Sequence, residues 1–353
     1  MSGKQWFNGF SEDDWAGLYQ EAMGLAQQGN LSDAADAMKK VVEYAKLPGG
    51  QEQLVESYVG LGNLQMGMHR FELAEQTYTQ AVDTARAARG PRDRLVAGAM
   101  TYLANCYEEQ GRYDRSAETY GQAISILEAH PPGEEGLLQL LTNTRSNLAS
   151  VLSNLGRGQE ALALNQQVVE AERRGDGDPS GLAVALWTRS TIASRQGLHE
   201  EAVQASREAL ELAAKWNPPD SPPVFQAVHQ YCNILVKAGR VQEAIPVLEE
   251  GLERLRTAGF EDPIFAATWM ESLADALMEA GRFEESERWY QLSLEAFTRL
   301  HGPLHQNLVS AVEGYRELLR RQGRDREMRE QERRLEEIQA ALPAELVRRN
   351  ARK

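Results

Sequence analysis

The sequence predicts an all-α chain, a solenoid of about sixteen helices stacked in pairs. A short phrase returns along it, as GRYDRSAETY from Gly111, GRGQEALALN from Gly156, GLHEEAVQAS from Gly197, GRVQEAIPVL from Gly239 and GRFEESERWY from Gly281. Weaker copies start at Gly29, His69 and Gly323, and successive anchors lie 40, 42, 45, 41, 42, 42 and 42 residues apart. A fixed period of that size marks a repeat architecture, in which each unit buries its apolar face only against its neighbours. Breaker clusters punctuate the chain at the same rhythm: LPGG at 47–50, HPPGEEG at 130–136, GDGDPSG at 175–181, NPPDSPP at 217–223 and HGP at 301–303. None is long enough for a domain linker, so the 353 residues read as one continuous array.

Residues 1–11 are expected to form an N-terminal apolar cap, with Trp6, Phe7 and Phe10 folding over the exposed end of the first repeat. Ser11 to Asp14 reads as a capping box opening the first helix. Residues 12–322 hold seven repeats and the first helix of a degenerate eighth. In the third repeat, Met100, Leu103, Ala104 and Tyr107 fall at i, i+3, i+4 and i+7, one face of an amphipathic helix. Gly111 stops that helix, because glycine takes the left-handed conformation a helix end often needs. Tyr113, Ser116, Tyr120 and Ala123 then line a second helix. Ser116 sits where the two helices must approach closely, and Ala34, Ala74, Ala161, Ala202, Ala244 and Ser286 share its slot. Residues 323–353 form a charged capping helix ending in a basic tail. From Arg316 onward 12 Arg and Lys face 8 Asp and Glu, so the acidity of the chain lies before that point.

Tyr58, Leu61 and Gly62, followed by Ala74 and Tyr78, resemble the tetratricopeptide repeat pattern, in which a Leu-Gly-Tyr first helix precedes an Ala-x3-aromatic second one. Leu103, Ala104, Tyr107 and Tyr120 repeat the match, as do Leu273, Ala274, Leu277 and Tyr290. The resemblance covers about residues 12–340. The 42-residue period is similar to that of the kinesin light chain type, and Asn147-Leu148-Ala149 followed by Leu155-Gly156-Arg157 and Glu160-Ala161 is the nearest stretch. The resemblance implies a right-handed α-α superhelix whose function is to bind a protein or peptide, without catalysis.

Composition narrows the partner class. A formal charge of −14 disfavours nucleic acid, and no apolar run is long enough to insert in a membrane. The first fifteen residues turn acidic at once and do not read as a secretory signal. Cys106 and Cys232 lie in different repeats, which argues against a disulfide and for a cytoplasmic chain. Cys232 reads as a packing residue. No Walker loop, dinucleotide fingerprint, H-E-x-x-H or C-x-x-C is present, so the expectation is a non-enzyme with no catalytic residue, metal or cofactor. His301 and His305 are four apart, but Pro303 between them breaks a continuous helix. Asp176 and Asp178 lack the rest of a calcium loop.

The resemblance implies that slots two, five, nine, twelve and thirteen of each first helix, with the turn residue as fifteen, point into a concave groove. Those slots supply Asn63, Asn105, Asn143, Ser146, Ser150, Asn154, Trp187, Arg195, His229, Asn233, Lys237, Glu271 and Asp275 as candidate partner-binding residues. Asn63, Asn105 and Asn233 share slot nine, and a side-chain amide that both donates and accepts can grip a peptide backbone without reading its sequence. Trp187 is the candidate aromatic anchor. Arg195, His229 and Lys237 read as a weakly basic patch before an acidic seventh repeat. The expected function is a protein-interaction scaffold holding an extended partner segment in the groove. The alternatives are a peptide-sensing regulator, or an assembly factor for a filament or larger complex working through its outer surface. The sequence leaves the oligomeric state open.

Overall fold

Each recurring glycine is a helix stop with the same hydrogen-bond pattern. In the computed structural model, which describes residues 9–131, 136–174, 179–257 and 263–341, Gly111 has φ +69° and the Arg112 N–H donates back to the Tyr107 carbonyl at 2.8 Å. That six-to-one closure satisfies a carbonyl the helix would otherwise leave open. It recurs at Asn30, Arg70, Arg157, Leu198, Arg240, Arg282 and Arg324, each donating to the carbonyl five residues back. The residue before each donor has positive φ, and in seven of the eight turns it is glycine. The exception is His69 (φ +57°), whose ring packs edge-on against Phe71 at 5.7 Å. Gly111→Ala should therefore cost about 1–2 kcal/mol, since a Cβ is strained in this conformation. Urea melting checks this, and an unchanged midpoint would remove the glycine from the stop mechanism.

Sixteen helices lie among the described residues, with no strand. The first seven are α1 (Glu12–Gln27), α2 (Leu31–Ala45), α3 (Gln51–Gly67), α4 (Phe71–Arg89), α5 (Arg94–Glu109), α6 (Tyr113–Glu128) and α7 (Leu137–Asn154). Then come α8 (Gly158–Arg174), α9 (Pro179–Arg195), α10 (His199–Trp216), α11 (Pro222–Lys237) and α12 (Val241–Thr257). The last four are α13 (Pro263–Glu279), α14 (Phe283–His301), α15 (Leu308–Arg321) and α16 (Asp325–Ala341). The chain divides into two compact units, one ending at Arg157 and one starting at Gly158. In the first, α1, α3, α5 and α7 touch one another in sequence as well as their even-numbered partners; in the second, α9, α11, α13 and α15 do the same. The odd helices thus form one row in each unit.

Two chemical devices hold the pairs and the row. Ala34, Ala74, Ser116, Ala161, Ala202, Ala244 and Ser286 are all fully buried, as their slot requires. Where the residue is serine, its hydroxyl donates to the first helix: Ser116 to the Ala104 carbonyl at 2.9 Å and Ser286 to that of Ala274 at 2.7 Å. A buried hydroxyl without such a partner would be costly. The arginine of the Gly-Arg phrase ties one repeat to the one before it. Arg112 pairs with Glu75 and Arg324 with Glu287, both at 2.6 Å, while Arg240 and Arg282 approach Glu200 and Glu249 at 3.8 and 3.9 Å. Such partly exposed pairs contribute under about 1 kcal/mol each, so they set register more than stability.

At the N-terminus only half of the capping box forms. The Asp14 N–H donates to Ser11 Oγ at 3.3 Å, but the Ser11 N–H goes to the Tyr44 hydroxyl at 3.0 Å instead of to Asp14. The Tyr44 ring packs against Phe10, tilted at 36° with centroids 5.7 Å apart. Phe10 joins the core of the first repeat, whereas Trp6 and Phe7 lie outside the described residues, as do Asp176, Asp178 and the basic tail.

Candidate functional site

In the first unit the slot-nine amides are partly committed inside the protein. Tyr78 Oη donates to Asn63 Oδ1 at 2.7 Å. The Tyr120 hydroxyl donates to Asn105 Oδ1, which also accepts from Asn147 Nδ2 at 3.2 Å. Burial pushes both phenols well above their ordinary pKa, which keeps them as donors. The amide oxygen of Asn105 thus accepts from two protein groups and that of Asn63 from one, in each case including a tyrosine fifteen residues on. The periodic Asn…Tyr spacing was visible in the sequence, but which groups would pair was not. Asn147 was not among the predicted groove residues. With Asn105, Met66, His69, Glu108 and Glu109 it lines an open recess of about 490 Å³. Asn143 is exposed and accepts from Gln139 Nε2 at 2.9 Å, Ser150 donates to the Ser146 carbonyl at 3.3 Å, and Asn154 is exposed at the end of α7.

In the second unit His229 is not a surface cation. It is buried, stacked on Trp269 at 5.5 Å and 18°, with Nε2 at 2.8 Å from Ser272 Oγ and 3.5 Å from Asn233 Nδ2. Burial pushes its pKa down to about 4, a backbone hydrogen bond to Thr268 offsetting only part of this, so the ring is neutral at pH 7. The expected basic patch is thereby reduced to Arg195 and Lys237, both exposed. The physical cause is burial of the ring against Phe265 and Trp269, with Phe225 packed on Trp269 behind them, which sequence spacing alone did not reveal.

The acidic seventh repeat is present but carries less charge than its composition suggests. Glu271 accepts from the Ser310 hydroxyl and Asp275 from that of Tyr290. Burial, with Asp275 and Glu313 nearby, pushes Glu271 up to about 7. Burial and Glu279 push Asp275 up to about 6, against the pull of Tyr290 and Lys237. Glu279 is exposed and pairs with Arg321 at 2.7 Å.

Trp187 is half-buried and forms a wall, not a projecting anchor. With Val184, Ser206, Ala213, Trp216 and Gln226 it lines a mainly apolar cavity of about 290 Å³ between α9, α10 and α11. Trp216 and Val184 stand at this cavity 60% and 53% exposed, among the most exposed large apolar residues described. Sequence reasoning missed Ser206 and Trp216, which lie on an even helix outside the slots the resemblance assigned to the groove.

The remaining candidates for chemistry are quiet. Cys106 and Cys232 are free and buried, with burial pushing their thiols up to about 11 and about 12, so neither is poised as a thiolate. The His301 and His305 rings stack at 4.2 Å, with α14 ending at His301 and Gly302, at φ +84°, as its cap. No group of three or more His, Cys, Asp or Glu among the described residues could hold a metal ion. No helix of the described residues is long and apolar enough to cross a membrane.

Comparison with known proteins agrees with this architecture. Family models described as tetratricopeptide repeat match residues 53–129, 140–215 and 233–299, together more than half of the chain. The curated relatives include Protein KINESIN LIGHT CHAIN-RELATED 1 of Arabidopsis thaliana, 25% identical over 192 residues, which cover 52% of this chain and 31% of that protein. Protein KINESIN LIGHT CHAIN-RELATED 3 of the same organism is 22% identical over 233 residues, 63% of this chain and 34% of that one. The chain thus spans about a third of the length of these relatives. Among solved structures of similar fold, BtubC (BKLC) from P. vanneervenii has a TM-score of 0.56 at 23% identity, covering 65% of this chain and 92% of its own. The apo quorum sensor NprR from B. thuringiensis has 0.63 at 14%, covering 91% and 86%. A Rap conjugation gene regulator of the plasmid pLS20 in complex with the Phr* peptide has 0.57 at 14%, covering 96% of each chain. Eight left-handed helix stops, a buried small residue in the same slot of seven repeats and these matches lead to one conclusion: the chain belongs to the tetratricopeptide repeat family.

Proposed function

We propose that this protein is a non-catalytic interaction scaffold that holds extended partner segments along the row of odd helices in each unit. The tetratricopeptide fold suggests protein–protein interaction, and one structure of similar fold was solved with a peptide. The observation that carries the finer reading is the pairing of Tyr78 with Asn63 and of Tyr120 with Asn105. A tyrosine that fixes an amide through its oxygen leaves a preorganised N–H2 donor, and a row of fixed donors suits the carbonyls of an extended backbone. Sequence preference would then come from side-chain sites: the recess at Glu108 and Glu109, the apolar cavity at Trp187, and the acidic groups Glu271, Asp275 and Glu279. All of these point to a partner with cationic and apolar residues.

Affinity capture from native lysate tests this, with wild type beside a variant carrying Asn105→Ala, Trp187→Ala and Asn233→Ala. The two proteins must first share a melting curve. The expected result is a partner retained by the wild type and lost by the variant. Equal partners on both would refute the rail and move attention to the even helices, as an assembly factor working through its outer surface would require.

A further inference from the structure

We infer that the cavity between α9, α10 and α11 is a socket for one aromatic side chain of the partner segment, with Lys or Arg required some five or six residues away. The inference rests on the reading above that the odd-helix row holds a peptide. Its origin lies in a single slot of the repeat. Nine residues after the turn residue, six of the first seven second helices carry Met38, Tyr78, Tyr120, Asn165, Leu248 and Tyr290, every one buried. In the fifth repeat that slot holds Ser206. In the third repeat the ring fills the gap between neighbouring first helices, where Tyr120 packs with Ala104 and Val151. In the fifth repeat Ser206 lines a cavity with the small side chains Ala183, Ala209, Ala213 and Ala227, on the side of α10 that faces the first halves of α9 and α11.

The volume fits a ring. A cavity of about 150 Å³ lined by apolar groups takes benzene, and this one has about 290 Å³. The walls fit as well: Trp187 and Trp216 supply aromatic faces, while Gln226 and Gln230 supply amides at the edge for a phenol or a backbone. Exposed Val184 and Trp216 keep the cavity in contact with solvent, so no segment among the described residues covers it. The charge requirement comes from the same row. Helix α13 packs directly on α11 and carries Glu271, Asp275 and Glu279, and α15 beyond it adds Glu313. Packed helices lie about 8–10 Å apart, so two steps along the row take five or six residues of extended chain at about 3.3 Å each.

p-Cresol, the tyrosine side chain itself, is the first probe, followed by methyl NMR of the full chain. It should shift the Val184 and Leu212 methyl signals in the wild type but not in Ser206→Tyr. That variant restores the ring found in other repeats and should melt no lower than wild type. No shift, or the same shift in the variant, overturns the socket. Dodecapeptides of Gly and Ser carrying one Tyr and a Lys-Lys pair five residues away, in either order, provide the second test, read by fluorescence anisotropy. Replacing Tyr by Gly should weaken wild-type binding at least ~10-fold, since burying an aromatic ring is worth roughly that or more, and Ser206→Tyr should abolish the difference. If binding is indifferent to the ring yet lost in Asn233→Ala, the socket is wrong and the amide rail stands. If the ring matters and Asn233→Ala does not, the rail is wrong and the socket stands. A dimer that p-cresol splits into monomers would assign the cavity to a second copy and overturn the proposal.

Discussion

Gly251→Ala is expected to destabilise the second unit by at least 2–3 kcal/mol, although alanine is the better helix former by about 1 kcal/mol. Gly251 lies inside α12, and a Cβ there would come within 1.8 Å of the Trp269 ring. Trp269 is fully buried, with Phe225, His229 and Phe265 as ring neighbours, so it has no direction in which to yield. Cores are packed too densely to absorb a methyl group without moving side chains off their rotamers. Gly17→Ala is the control. Gly17 lies in α1, exposed, with nothing within 4 Å of an added Cβ, and there the substitution should stabilise by up to about 1 kcal/mol. Thermal melting of both variants decides the matter, and a Gly251→Ala melt at or above wild type would contradict the packing around Trp269.

Glu271→Gln should stabilise the protein at pH 8 by on the order of 2 kcal/mol and much less at pH 5. In the folded chain Glu271 titrates at about 7 against an ordinary 4.5, so the folded state holds a proton that the unfolded chain releases. A carboxyl raised in this way contributes stability that is complete below about pH 4.5 and lost as pH rises through 7, at about 1.4 kcal/mol per unit. Asp275, raised to about 6, acts in the same direction over a lower window. The groups facing this pair are Glu279 and Glu313, which raise it, and Tyr290, Ser310 and Lys237, which hold it down; the shared neighbourhood keeps the two shifts from adding fully. His229 has the opposite sign. Its pKa is lowered from 6.5 to about 4, so its contribution is complete above pH 6.5 and is lost as pH falls toward 4. Urea melts of wild type and Glu271→Gln at both pH values test the assignment. An equal difference at pH 5 and pH 8 would show that Glu271 is ionised throughout. A cationic partner residue at this site would favour the carboxylate form, so binding would release protons near neutral pH.

What the sequence by itself determined is everything governed by neighbours along the chain. The period, the helix pairs, the eight stops and the buried small slot each depend on residues less than one repeat apart, and glycine conformation and helical spacing are local physics. His69 was found in a glycine position for the same reason: its repeat matches even where its residue does not. The tertiary structure alone decided how side chains that meet across helices share their hydrogen bonds, charge and space. The Asn105 amide oxygen is taken by Tyr120 and Asn147, and His229 lost its charge to burial against the rings of Phe265 and Trp269. Glu271 and Asp275 hold their protons to higher pH than ordinary carboxyls because burial outweighs the hydroxyls that donate to them. The empty slot at Ser206 could be read as small from the sequence. Whether a small residue leaves a cavity depends on whether its surroundings collapse into it, and here Trp187 and Trp216 stand at its walls and keep it open.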